Sequence, residues 1–304
     1  MNPVLLTGPT ASGKSAVALA LAARIDGEIL SVDSMQVYQG LDLGTAKPTA
    51  EERRQVPHHL IDVVGLTEPF DAARFVTLAR EAITDVAARG RVPILCGGTG
   101  LYINAWLGGL GSAPPPDPAL RTELEALDTA ALLDELARKD PVTLDEIDAQ
   151  NRRRLVRAVE VIRLTGRPFS LQRAQWPERG GSTLAGRAFG IDRDRADLVD
   201  RIHRRVDRMF GDGLVAETAQ RLTEGLRENR TAMQAIGYRQ VVEHLEGRRS
   251  LRETRELVQS KTRQFARRQR TWMTGQLDLE WLMVEQAESP DQTAARIASR
   301  LTVD

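Results

Sequence analysis

An α/β fold is predicted for this chain, built as a parallel sheet flanked by helices and interrupted by an all-helical insertion. Three observations predict it. A glycine-rich loop joins an apolar run to an alanine-leucine helix pattern near the N-terminus. Short apolar strands then alternate with amphipathic helices over the N-terminal third, the pattern of a parallel sheet covered on both faces. A segment rich in glycine and proline, Gly108 to Pro118, then opens a long stretch of purely helical periodicity.

The first strand is expected at Val4–Thr7 and the helix after the loop at Lys14–Ile25. Further strands are expected at Glu28–Val32, Leu60–Val63 and Val92–Cys96, with a helix at Asp71–Arg89 whose ends carry a capping Asp71 and a terminating Gly90. From Ala119 to about Thr165 the chain reads as helix, with Leu124, Leu127, Leu132, Leu133, Leu136, Leu155 and Val159 at helical spacing. Trp176–Thr183 reads as a mobile loop, Ala185–Ile191 as a strand returning to the sheet, and the rest as helix, including a basic stretch from Leu251 to Met273. The expected divisions are 1–116 as the first part of the core, 117–184 as the helical insertion and 185–304 as the rest of the core.

The loop itself is Gly8, Pro9, Thr10, Ala11, Ser12, Gly13, Lys14 and Ser15, a complete G-x-x-x-x-G-K-[ST] motif in its required strand-to-helix context. Its glycines let successive N–H groups turn inward around a polyphosphate, and the helix dipole adds to that field. Lys14 places a charge on the terminal phosphates, and Ser15 offers an oxygen to Mg²⁺. The expected sheet is therefore P-loop NTPase-like.

Asp33 ends the second strand, where ligands of open α/β sheets sit. It is expected either to face the bound phosphates as a proton acceptor or water-mediated metal ligand, or simply to cap a turn. Lys47, held extended before Pro48, can point into a cleft or into water, and water is expected. The strand Val92–Cys96 ends in Gly97-Gly98-Thr99, without the aspartate that organises Mg²⁺ in motor and switch ATPases. That favours a small-molecule or group-transfer enzyme over a hydrolysing switch.

The chain has 304 residues, with 42 basic and 42 acidic side chains for a net charge of zero. Its arginines nonetheless gather in three groups: Arg152, Arg153, Arg154 and Arg157; Arg201, Arg204, Arg205 and Arg208; and Arg263, Arg267, Arg268 and Arg270 with Lys261. One such group is usually a solvated face, but three suggest a polyanion larger than a nucleotide. The single cysteine, Cys96, excludes an internal disulfide, and His58, His59, His203 and His244 lack metal-ligand spacing. No leader pattern and no apolar stretch of about 18 residues is present, so a cytoplasmic protein is expected.

In order along the chain, Gly-Pro-Thr-Ala-Ser-Gly-Lys-Ser, Asp33 to Tyr38, Gly44 to Pro48, Gly97 to Tyr102, Ala235 to Gln240 and Thr262 to Gln269 resemble the signatures of the tRNA dimethylallyltransferase family. The resemblance implies transfer of a dimethylallyl group from dimethylallyl diphosphate to the N6 amine of the adenosine on the 3′ side of the anticodon. It implies the diphosphate in the loop with Mg²⁺ on Ser15, Asp33 as base, and Thr10 and Arg205 on the leaving group. It further implies tRNA contacts, through the anticodon stem-loop, by Asp33, Ser34, Met35, Gln36, Thr99, Arg121, Arg153, Arg154, Leu155, Arg157, Gln234, Gly237, Tyr238 and Arg239. A compact, monomeric bacterial form without a zinc-finger extension is expected. The competing reading is a small-molecule or nucleotide kinase, which explains the loop and Asp33 but leaves the basic groups unexplained. A second is a non-catalytic RNA-binding module.

Overall fold

A computed structural model describes residues 2–301 apart from 175, 177–183 and 185. The expected loop beyond Trp176 and the Ala185 start of a strand lie outside the described residues. The chain divides into two compact units, Met1–Leu107 with Pro177–Asp304, and Gly108–Trp176.

The larger unit begins with β1 (Val4–Thr7), α1 (Lys14–Ile25), β2 (Gly27–Val32), α2 (Ala50–Gln55), β3 (His58–His59), α3 (Ala72–Ala88), β4 (Val92–Gly97) and α4 (Gly100–Gly108). β1 and α1 have the expected bounds. Asp71 caps α3 as expected, its carboxylate accepting the Arg74 N–H at 2.9 Å. The third strand differs. It occupies His58–His59 instead of Leu60–Val63, because Leu60 and Asp62 adopt left-handed φ values of 63° and 56°. That conformation ends a strand, and Leu60 enters the core from a turn.

The smaller unit carries α5 (Pro118–Ala126), α6 (Thr129–Lys139), α7 (Pro141–Glu146) and α8 (Arg152–Thr165). The helical stretch is thus four helices. Asp117, Asp128, Asp140 and Asn151 each accept an N–H of the first turn, and these caps divide one periodic run into separate rods. Leu124, Leu132, Leu136, Leu155, Val159 and Ile162 form its core.

The larger unit resumes with β5 (Ala188–Asp192), α9 (Arg195–Gly211), α10 (Leu214–Thr223), α11 (Tyr238–Leu245), α12 (Leu251–Gln276), β6 (Glu280–Met283) and α13 (Pro290–Leu301). β6 replaces expected helix: Glu-Trp-Leu-Met is a short edge strand that pairs only with β5. The sheet is parallel throughout, in the order β3-β2-β4-β1-β5-β6. Alternate residues face opposite layers, as the period of a strand requires. Leu5, Leu30 and Leu95 join one core with Phe75 and Met273, whereas Val4, Leu6, Ile29 and Ile94 join another with α1 and α13. Among the described residues, no helix is long and apolar enough to cross a membrane.

Candidate active site

The sheet order puts β1 at its centre, and the loop Gly8–Ser15 leaves from the carboxyl end of that strand. Gly8 has φ 154°, and a Cβ there would lie 2.4 Å from the Ile191 carbonyl oxygen of β5. Only glycine fits. Gly13, at φ 99°, caps α1 without a side-chain hydrogen bond, so the helix N-terminus opens onto the loop. Ala11 is left-handed at φ 66°, a conformation disfavoured for a residue with a Cβ, and is held there by its surroundings. Among the described residues, the N–H groups of Gly13, Lys14 and Ser15 have no partner. Three unpaired donors at a helix start form an anion site.

Other segments brace the loop. The Thr10 N–H donates to Gln269 Oε1 at 2.8 Å, and Gln269 Nε2 donates to the Gly98 carbonyl at 3.0 Å. Arg201 Nε donates to the Ala11 carbonyl at 3.0 Å, and Arg193 Nε to the Ser12 carbonyl at 2.7 Å.

Asp33 follows β2. Its Oδ1 accepts the N–H groups of Met35 (2.8 Å) and Gln36 (3.4 Å), while Oδ2 has no hydrogen bond among the described residues. The turn-capping contact and an available oxygen therefore coexist on one carboxylate. The Gly98 and Thr99 N–H groups donate to the Val32 carbonyl, and Thr99 Oγ1 accepts the Ser34 N–H at 3.1 Å. The loops after β2 and β4 are thereby laced together. Gln36 is fixed at both ends of its amide, by Ser31 Oγ at 2.7 Å and by the Thr45 carbonyl at 3.1 Å.

Lys14 and Arg205, from α9, are both half-buried and share the field of Asp33. Burial pulls the Lys14 ammonium below its ordinary value and Arg205 adds to the fall, while Asp33 opposes it. Burial likewise lowers Arg205, opposed by Asp33. Burial pushes the Cys96 thiol up to about 11, so it remains protonated at neutral pH. Two desolvated cations facing one carboxylate leave an excess of positive potential that a polyphosphate would neutralise. A cleft of about 960 Å³ opens beside them, lined by Lys14, Ser15, Leu43, Arg201, Arg205 and Met209 among others.

The structure thus gathers Gly8–Ser15, Asp33–Gln36, Thr99 and Arg205 in one region. Other expected site residues stand differently. Tyr238 is fully buried; its hydroxyl donates to Glu217 at 2.5 Å and accepts the Gly44 N–H at 3.1 Å, so it anchors a loop and offers RNA no surface. Gly237 is buried beside it, whereas Gln234 and Arg239 are exposed. Arg121, Arg153, Arg154, Leu155 and Arg157 belong to the smaller unit. There Leu155 is fully buried in the core, which removes its side chain from any RNA surface. Arg121 and Arg157 both pair at 2.7 Å with the buried Glu160. Arg153 and Arg154 are exposed. Lys47 does not point into water: its side chain is 2% exposed and its ammonium is enclosed by Asp42, Asp62 and the Tyr38 carbonyl, which makes it structural.

Sequence reasoning missed Arg193 and Gln269 as supports of the loop. Arg193 stands just beyond the carboxyl end of β5, a position that alone could have drawn notice. Lys261, Arg267 and Arg268 line an exposed face of α12 and have no ion pair among the described residues.

A glycine-shaped cradle at the carboxyl end of a parallel sheet, with two cations and a carboxylate beside it, defines a P-loop-type enzyme acting on a phosphorylated substrate. A family model described as IPP transferase matches residues 36–276, beginning after the cradle. The chain is 45% identical over 298 residues to tRNA dimethylallyltransferase 1 of Trichlorobacter lovleyi, covering 96% of this chain and 97% of that one. It is 47% identical to tRNA dimethylallyltransferase of Salinispora tropica, over 91% and 86% of the two chains. Among solved structures it resembles the full-length tRNA isopentenylpyrophosphate transferase of Bacillus halodurans, at a TM-score of 0.71 and 38% identity over 99% and 96%. A eukaryotic dimethylallyltransferase acting on tRNA gives a TM-score of 0.79 at 26% identity, over 98% and 77%. The chain belongs to the IPP transferase family.

Proposed function

We propose that the chain is a tRNA-modifying prenyltransferase. It moves a dimethylallyl group from dimethylallyl diphosphate to the exocyclic N6 amine of the adenosine on the 3′ side of the anticodon, releasing diphosphate. One observation carries the reading: the open N–H groups of Gly13, Lys14 and Ser15 stand with two desolvated cations, Lys14 and Arg205, that share the field of Asp33. A leaving-group cradle and a proton acceptor thus serve one reaction centre.

In the reaction N6 attacks carbon 1 of the prenyl group. The N6–C1 bond forms, the C1–O bond breaks, and its electron pair departs on the diphosphate. Negative charge grows on the leaving oxygens, where the loop amides, Lys14 and Arg205 are already fixed. Thr10 and Arg205 hold the departing group. The amine proton passes to Asp33 Oδ2, while the Met35 and Gln36 N–H groups keep Oδ1 in place.

The residues present fit Mg²⁺. Ser15 is exposed at the start of α1 and its hydroxyl has no hydrogen bond among the described residues. No cluster of three or more His, Cys, Asp or Glu that could hold a metal occurs among them, so Ser15 would be the protein ligand and phosphate and water oxygens the rest, a usual arrangement for this ion. Bound there, Mg²⁺ supplies charge neutralisation on the diphosphate.

The target base is stacked in the anticodon loop and must be extruded. Asp33, Ser34, Met35, Gln36 and Thr99 receive it, Gln234 and Arg239 add contacts, and Arg153 and Arg154 of the smaller unit bind phosphates of the stem. On this reading the chain acts as a monomer, in the cytoplasm with its tRNA. Incubation with dimethylallyl diphosphate, Mg²⁺ and tRNA should yield free diphosphate and a prenylated adenosine, read by mass spectrometry of the tRNA nucleosides. Consumption of ATP with no gain in RNA mass would establish a kinase instead.

A further inference from the structure

Arg193 lies outside the cleft and outside every motif of the loop, yet it is the most enclosed arginine near it, 7% exposed. Two of its three guanidinium nitrogens are engaged. Nε donates to the Ser12 carbonyl at 2.7 Å, and one terminal nitrogen donates to Asp197 at 3.0 Å and to the Glu285 carbonyl at 3.2 Å. Asp197 is itself buried, with a side chain 7% exposed.

The contact to Ser12 matters because of the peptide it fixes. In a trans peptide the C=O and N–H point in opposite directions. Holding the Ser12 carbonyl on the outer side of the loop aims the Gly13 N–H inward, and that N–H is one of the three unpaired donors. Nothing else performs the task from Ser12 itself. Its hydroxyl is buried and has no hydrogen-bond partner among the described residues. Gly13 offers no side chain, and its φ of 99° lies where glycine is least constrained. A charged donor on the carbonyl also polarises the peptide, strengthening its N–H as a donor.

We infer that Arg193, held by Asp197 and the Glu285 carbonyl, is a positioning residue for the diphosphate site: it orients the Ser12–Gly13 peptide so that the Gly13 N–H binds a phosphate oxygen. The inference rests on the reading that the loop holds a diphosphate. Arg193 does not line the cleft, and Arg193→Lys keeps its charge.

The test uses the full chain and inorganic diphosphate as probe, with calorimetric binding in Mg²⁺, tRNA binding by filter retention, and melting temperature as separate readouts. Arg193→Lys keeps a positive charge beside Asp197, so the buried carboxylate is not orphaned, but a single ammonium replaces the fork that reaches three acceptors. Diphosphate affinity should fall roughly tenfold, the size of one charged hydrogen bond, with tRNA affinity changed by less than about twofold. The neutral pair Arg193→Gln with Asp197→Asn should give the same selective loss, and it decides the matter if the first variant does not fold. Wild-type diphosphate affinity in either folded variant, or an equal fall in both affinities, overturns the inference. Lys14→Ala is the control for the underlying reading. If the unaltered protein does not bind diphosphate, or Lys14→Ala binds it equally well, that reading fails and takes the inference with it. If Lys14→Ala loses binding and the Arg193 variants keep it, only the inference fails.

Discussion

The cradle and the helical unit Gly108–Trp176 arrange their hydrogen-bond donors by opposite means. In the cradle the donors are backbone N–H groups whose directions are set by glycine conformations and by carbonyl contacts. In the helical unit they are arginine side chains, and a fully buried carboxylate, Glu160, decides where two of them go. Glu160 accepts from Arg121, from Arg157 and from the Asp117 N–H, all within 3.0 Å. Backbone donors lose no side-chain freedom on binding and act over a short range. Arginines reach farther but must be ordered by a partner. The first device suits a small, fixed leaving group, and the second suits the extended phosphate track of a folded RNA.

That contrast can be broken, most severely at the acceptor beside the cradle. Asp33→Ala should lower single-turnover transfer by at least about a hundredfold, the lower range for a positioned base. Its tRNA affinity should move by less than ~1 kcal/mol. A loss confined to tRNA binding would make Asp33 a recognition residue and erase its link to the cradle. Glu160→Ala probes the other region. It leaves two guanidinium groups without their shared partner. Because those groups are 37% and 28% exposed, water moderates the cost to about 2 kcal/mol, visible as a lower melting temperature. Affinity for tRNA should fall with it, and affinity for inorganic diphosphate should not. Equal losses for both ligands would show that the two regions are not separate devices. The smallest effect is expected from Arg154→Ala, on the exposed side of α8. It should weaken tRNA binding by roughly 1 kcal/mol at low salt and reduce the salt slope by nearly one unit, as loss of one phosphate contact does. An unaltered slope would return Arg154 to the role of a solvated side chain.

The two regions also differ in how far they could be read from sequence. The cradle was legible because its geometry is local. Gly8 and Gly13 are required by backbone angles and a close approach, and the strand and helix on either side are set by short-range pattern. Asp33 was legible as a position at a strand end, although whether it capped a turn or faced the ligand could not be separated; one oxygen caps the turn and the other has no hydrogen bond among the described residues. The arginines were legible only as a group. Arg121 and Arg157 differ from Arg154 because Glu160 folds against the first two, and that pairing depends on which helix faces pack. Tyr238 misled for a similar reason. The resemblance placed it among the tRNA contacts, but Glu217, 21 positions earlier in the chain, captures its hydroxyl inside. Strand β6 and the turn at Leu60 escaped because an edge strand of four residues and a left-handed leucine leave almost no periodic trace.

The supports of the cradle have a consequence for how the chain is made. Gly8 abuts Ile191, Ser12 is held through Arg193, Ala11 through Arg201 and Thr10 through Gln269. The loop therefore waits for neighbours as many as 259 positions later in the chain before it is fully braced. A nascent chain that stalls before Gln269 carries the full glycine-lysine signature yet lacks one of the struts that shape it. The form of the cradle is thus completed only when the chain through Gln269 has been made.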